Sequence, residues 1–363
     1  MLLKQSKNRD VRVRERNSNL ELLRIIATLF VIMLHYNNKN NGKAFAYTEA
    51  LETQYQVLVC MEMLAICAVN IFVMISGFFM CRSQKADVTK VLRLYADVIF
   101  CSVIRYVMNC TIGSQKFAVP TLLYFMIPLC WYVAVYSALY LISPYLNRMI
   151  RGLSEAQFRN LLIIFMIVFS VWPSALELIT ALTGMKLTSM SPLGTQGSGA
   201  GYTIIHFIVM YCMGAYLNLH GNENVDGKST WKALGGYIIC TVLLVLYSKV
   251  YFSGALSYCN PLVIIQSVAI FRVFQSVEFK SRIVNTIAGC SFGVYLLHTY
   301  FFKYFRIEKY ATGNALLIPL HMIMTAVMIY GISALIFWIY QKTAGALIGR
   351  CLKKLSFMKY EVT

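Results

Sequence analysis

Ten stretches of mostly apolar residues, each close to the 20 that an α-helix needs to cross a hydrocarbon slab roughly 30 Å thick, recur along this chain. They cover 20–38, 56–80, 94–113, 120–146, 160–182, 201–219, 232–252, 260–277, 283–301 and 314–341. Of the 363 residues, 58% are apolar and 13% charged, far more apolar than a water-soluble core requires. The pattern predicts an all-α, polytopic membrane protein of about ten transmembrane helices. One membrane domain, 19–341, is flanked by basic cytoplasmic tails at 1–18 and 342–363.

A formal charge of +18 invites a nucleic-acid reading, but the cations follow topology rather than gathering on one soluble face. With the N-terminus inside, 23 Lys and Arg fall in the tails and inner loops, eight fall outside, and Arg24 and Arg105 lie within spans. That asymmetry predicts both termini in the cytoplasm and no nucleic-acid partner. The first apolar run carries Glu21 and Arg24 and lacks a small-residue cleavage site, so it is read as a retained helix. The eleven cysteines form no C-x-x-C arrangement, and no metal site is expected.

Ionisable groups inside spans are expensive and mark cavities or partners. On the first helix Glu21, Arg24, Thr28 and His35 share a face, and Arg24 and His35 are about 16 Å apart along the axis. Glu21 and Arg24 read either as a snorkelling pair at the inner interface or as the start of a polar stripe that ends at His35. On the ninth span Ser291, Tyr295 and His298 follow i, i+4, i+7 spacing, and His298 lies at a depth similar to that of His35. Glu62 and Arg105 fall in the outer half of the second and third spans, where an ion pair is the default and a place in a substrate cavity the sharper alternative. His206, His220 and His321 have no such context, and TQGSGAGY lacks the Lys-Ser/Thr ending of a phosphate loop and reads as flexible loop.

Taken in order, these residues resemble the acyltransferase-3 family of integral membrane O-acyltransferases. An acidic residue three before an Arg and a His eleven after it match Glu21, Arg24 and His35. VNIFVMISGFF resembles the second-helix motif with Ser76 and Gly77, LCWYVAVYSALYLISPYL the segment with Trp131 and Tyr132, and SFGVYLLH the late helix with Ser291, Tyr295 and His298. The family's paired basic motif has only Lys90 and Arg93 as its counterpart, in KVLR.

The resemblance implies an enzyme of the bacterial cytoplasmic membrane that moves an acyl group, usually acetyl, from acyl-CoA to a sugar hydroxyl on an envelope or exopolysaccharide glycan or its lipid-linked precursor. Acyl-CoA would be a donor substrate, with no permanently bound cofactor; membrane lipids and glycan-assembly proteins are the further partners. On this reading His35 is the catalytic base or acyl carrier and His298 its alternate, with Glu21 and Arg24 in the catalytic group. Arg24, Lys90 and Arg93 would hold the donor, and Ser76, Trp131, Tyr132, Tyr295, Glu62 and Arg105 would line the substrate cavity. The competing reading is a transporter or flippase of glycans or lipid-linked sugars, although no paired broken helices mark two halves.

Overall fold

A computed structural model describes residues 17–221, 227–354 and 359–362, and these are mostly helical. Five helical stretches among them are long and apolar enough to cross a membrane: Ser18–Asn37, Thr53–Met80, Glu155–Thr183, Gly227–Val250 and Leu317–Lys342. The chain is a multi-pass membrane protein. The basic segment before Asn17 lies outside the described residues.

The first helix, α1 (Ser18–Asn37), runs through the centre, packed on α2 (Thr53–Ala65) and α3 (Ala68–Met80) on one side. Next come α4 (Val88–Thr111), α5 (Val119–Phe125), α6 (Trp131–Arg151), α7 (Glu155–Met166) and α8 (Trp172–Thr183). The second half comprises α9 (Ile204–Leu219), α10 (Gly227–Val250), α11 (Phe252–Ala255) and α12 (Pro261–Gln275). It continues through α13 (Arg282–Ala288), α14 (Ser291–Leu297), α15 (Ile307–Ala311), α16 (Leu317–Lys342) and α17 (Ala344–Lys353).

The tightest helix pair is α3 with α9, where two glycines meet opposite backbones. A Cβ on Gly77 would lie 2.0 Å from the Tyr211 carbonyl oxygen, and one on Gly214 would lie 2.0 Å from that of Met74. Small residues that let helix backbones touch are the usual means of association where lipid removes the hydrophobic drive. Ser76 sits beside this contact, so the local sequence that brings α3 against α9 also sets the wall that Ser76 faces.

Several expected spans differ in detail. The eighth and sixth, α12 and α9, are apolar but shorter than 18 residues. The fourth is divided into α5 and α6 by the turn around Pro128, because proline lacks the N–H that a continuous helix needs. The ninth is broken at Gly289 and Cys290 into α13 and α14, and His298 opens a short 3₁₀ turn, His298–Tyr300. Side-chain donors from α16 reach carbonyls at this break: Gln341 Nε2 lies 3.1 Å from Gly289 O, and Tyr330 Oη lies 3.1 Å from Ile287 O, which also accepts the Cys290 N–H. Irregular backbone at membrane depth survives where protein groups satisfy it in this way.

The loop TQGSGAGY and the basic C-terminal tail both make specific contacts. The TQGSGAGY segment is pinned by Glu177, whose carboxylate accepts the Ser198 N–H at 2.6 Å. The C-terminal tail contains α17, and a strand β2 (Lys359–Glu361) pairs antiparallel with β1 (Lys85–Asp87) just before α4.

Candidate active site

A cavity of about 320 Å³ opens between α1, α3, α6 and the broken α13–α14 segment. Arg24, Ser76, Tyr132 and Tyr295 line it, together with Tyr136 and Gly289. With Ser291, which also lines it, five of the residues singled out from sequence therefore share one space. Gly289 and Tyr136 carried no sequence signal of their own, although the Gly-Cys-Ser run inside an apolar span could have marked the break.

Arg24 is held in the wall by Glu21, whose Oε2 lies 2.6 Å from Arg24 Nη1. The Glu21 side chain is 5% exposed and that of Arg24 28%, so the acid is buried while the guanidinium reaches the cavity. Glu21 thereby positions Arg24 and does not itself line the cavity. Ser76 Oγ donates to the Phe72 carbonyl of its own helix at 3.0 Å and lies 3.4 Å from Tyr136 Oη across the cavity wall. Trp131 begins α6 but packs edge-on against Tyr202, 4.5 Å between ring centroids, and stands outside the cavity lining.

His35 and His298 meet edge-to-face with ring centroids 4.7 Å apart. Each Nδ1 sits against a backbone carbonyl of its own helix: His35 at 2.8 Å from Val31 O, and His298 at 2.7 Å from Tyr295 O. A carbonyl can only accept, so Nδ1 carries the proton and each Nε2 keeps its lone pair. His298 Nε2 is buried with no hydrogen-bond partner among the described residues. Val31 and Tyr295 both line the cavity, which places the two imidazoles one turn beyond its wall.

A second cavity, of about 400 Å³, adjoins the first through the shared residues Leu94 and Tyr136. Lys90, Arg93 and Lys353 line it, with Gly349 and Leu352 of α17. Arg93 is structurally engaged, its Nε 3.0 Å from Asp97 Oδ1 and its Nη1 donating to Gly345 O at 2.5 Å. Lys90 stands over the Tyr140 ring, 5.7 Å from its centroid.

Glu62 and Arg105 do not pair. Glu62 Oε2 accepts from Asn37 Nδ2 at 2.7 Å, because the end of α1 offers an amide where a cation was expected. Arg105 Nε is buried and has no hydrogen-bond partner among the described residues. Of the remaining histidines, His206 is buried against Asn70 Oδ1 at 2.8 Å and joins α9 to α3. His321 stacks on Tyr310 and shares a 2.8 Å hydrogen bond with Tyr36 Oη. His220 lies 3.9 Å from Glu155.

The family model described as an acyltransferase domain, of the acyltransferase-3 type, matches residues 17–340. The chain belongs to the acyltransferase-3 family. No curated protein and no solved structure matches it. The matched segment contains every residue of the central cavity and both members of the imidazole pair, so the enclosed site belongs to a membrane acyltransferase.

Proposed function

We propose that this protein is an O-acyltransferase of the cytoplasmic membrane, with both termini inside and about ten spans, that transfers an acetyl group from acetyl-CoA to a hydroxyl of an envelope or exopolysaccharide glycan or its lipid-linked precursor. The observation that carries this reading is the contact of His35 with His298, each with a free Nε2, one turn beyond a cavity that Arg24 lines. The cations Lys90 and Lys353 in the adjoining cavity suit the phosphates of a CoA donor, and the shared Leu94 and Tyr136 give its thiol arm a route inward.

His35 Nε2 accepts the proton of the sugar hydroxyl as that oxygen attacks the thioester carbonyl carbon. The tetrahedral oxyanion collapses, the C–S bond breaks, and the leaving thiolate takes the proton back from the imidazolium. Arg105, a cation of α4, supplies positive charge for the developing oxyanion, and Arg24 holds the donor arm. His298 supports the His35 ring and is the alternate base. Ser76 lines the donor passage and is not assigned a covalent role.

His35→Ala should lower turnover by about 10²- to 10⁴-fold, the usual worth of a positioned base. Titration of the purified protein with acetyl-CoA should show donor binding intact, and Arg24→Ala should weaken that binding as well as turnover. A His35→Ala enzyme acetylating its glycan at a near wild-type rate would transfer the role of base to His298.

A further inference from the structure

Beyond the imidazole pair, a third and larger cavity of about 830 Å³ opens between the loop after α1 and the segment that follows α14. Four cations line it, Lys43, Lys303, Arg306 and Lys309, against one carboxylate, that of Glu308. Thr299, the residue after His298, lines it as well, and Gly42 of its wall donates its backbone N–H to the His35 carbonyl at 2.9 Å. The cavity thus adjoins the backbone of both histidine-bearing segments, although neither imidazole lines it.

Its charge runs against expectation. In the proposed orientation these four are half of the eight Lys and Arg outside the membrane, where cations are selected against. Their placement is also built. A Cβ on Gly42 would lie 2.2 Å from the Tyr36 carbonyl oxygen, so only glycine lets the loop fold back on α1. Lys43 then adopts φ 63°, a left-handed conformation that costs a non-glycine residue energy and is held by its N–H bond to Asn38 O at 2.9 Å. Lys303 is fixed by Asn109 Oδ1 at 3.1 Å and by the Tyr300 ring, 4.0 Å from its Nζ. Tyr47 and Phe305, both half-buried, add flat apolar faces to the same wall.

We propose that this cavity is the acceptor site and that it selects an anionic glycan, binding a carboxylate- or phosphate-bearing sugar through Lys43, Lys303, Arg306 and Lys309 while a neighbouring hydroxyl is presented to His35. The proposal rests on the acyl-transfer reading for the role of His35, whereas the binding it describes stands apart from the chemistry. Aromatic faces suit sugar rings, and the clustered cations supply selectivity and steering more than raw affinity.

The test uses the purified full chain in detergent, with binding followed calorimetrically for a galacturonate tetramer, glucose 6-phosphate, a neutral galactose tetramer and glycerol phosphate. At least one of the two anionic sugars should bind about tenfold more tightly than the neutral tetramer, with the preference shrinking as salt rises. Lys303→Ala and Arg306→Ala should each weaken that binding by about threefold, the worth of one exposed ion pair, while Lys186→Ala and Lys249→Ala leave it unchanged. The His35→Ala protein should bind the anionic sugar as the wild type does, so that loss of transfer and loss of acceptor binding are read separately. Equal affinity for neutral and anionic sugars, indifference to the cavity variants, or competition by glycerol phosphate as effective as by the sugars would overturn the proposal, the last by assigning the cations to a lipid headgroup.

Discussion

Removing Arg24 tests whether stability and donor binding depend on the same side chain. At 2.6 Å the Glu21–Arg24 pair gains about 6 kcal/mol of Coulomb attraction at an effective dielectric of about 20, and desolvation of the two charges offsets much of it. Deleting one partner is a different matter, because Glu21 is only 5% exposed and would be left as a buried, unpaired carboxylate. Arg24→Ala should therefore cost about 3–5 kcal/mol. Glu21→Ala should cost less, since the Arg24 side chain at 28% exposure can turn into the cavity. The double variant should be more stable than the sum of the single losses by about 2 kcal/mol. Thermal unfolding of the three variants in detergent measures this coupling, and acetyl-CoA titration of the same samples measures donor binding. The double variant should regain stability without regaining donor binding. Losses that add within about 0.5 kcal/mol would refute the pair as a structural unit. Recovery of donor binding in the double variant would refute the assignment of Arg24 to the donor.

Gly77→Ala should destabilise the α3–α9 contact by about 1–3 kcal/mol or more, because the added methyl meets backbone that no rotamer change can move; an unfolding temperature equal to wild type would show that the helices can part at no cost. Asp87 caps α4, accepting from Thr89 N at 3.0 Å and lying 3.5 Å from Lys359 Nζ; burial pulls its carboxyl up, but the Thr89 bonds and Lys359 outweigh it and leave it below the usual carboxylate range. Its stabilisation is present above the unfolded value of about 4 and lost as pH falls through the folded one, so the deficit of Asp87→Ala, about 1 kcal/mol at pH 7, should shrink towards pH 3, and a deficit independent of pH would contradict the cap. In a cysteine-depleted background, Thr195→Cys on intact cells should react with an impermeant maleimide and Lys228→Cys should not; the reverse labelling would invert the proposed topology.

What could be read from sequence was whatever one helix encodes by itself. The eleven-residue spacing on α1 placed Arg24 and His35 on one face, and similar depth put His298 within reach of His35; the structure brings the two rings to 4.7 Å. Partners supplied by another helix were not legible. Glu62 takes Asn37 rather than Arg105, because two polar groups at the same depth can lie on different sides of a bundle. The break at Gly289 escaped notice because α16 provides the donors that make it tolerable, and those come from more than forty residues away. The return of α17 onto Arg93 is likewise invisible to charge counting, which sees only a basic tail.

Three helices carry their polar groups in the same order from one end to the other, and that order constrains how transfer is arranged. On α4 it is Lys90, Arg93, Leu94, Arg105 and then Asn109, which holds Lys303. On α1 it is Arg24, Val31 and His35, followed by Lys43 in the outer loop, and on α13–α14 Gly289, Tyr295 and His298, followed by Thr299. Arg105 is seventeen residues beyond the start of α4 (105 − 88) and His35 seventeen beyond the start of α1 (35 − 18), so both stand about 25 Å along their helices. On the proposed function, a donor entering at Lys90 would extend an arm past Arg24 to be attacked, whereas an acceptor beside Lys43 and Lys303 would approach from the end of α1 that carries His35. On the proposed assignment of donor and acceptor, the donor would cross most of the bilayer and the glycan would scarcely enter it, in keeping with a third cavity of about 830 Å³ against about 320 and 400 Å³ for the other two.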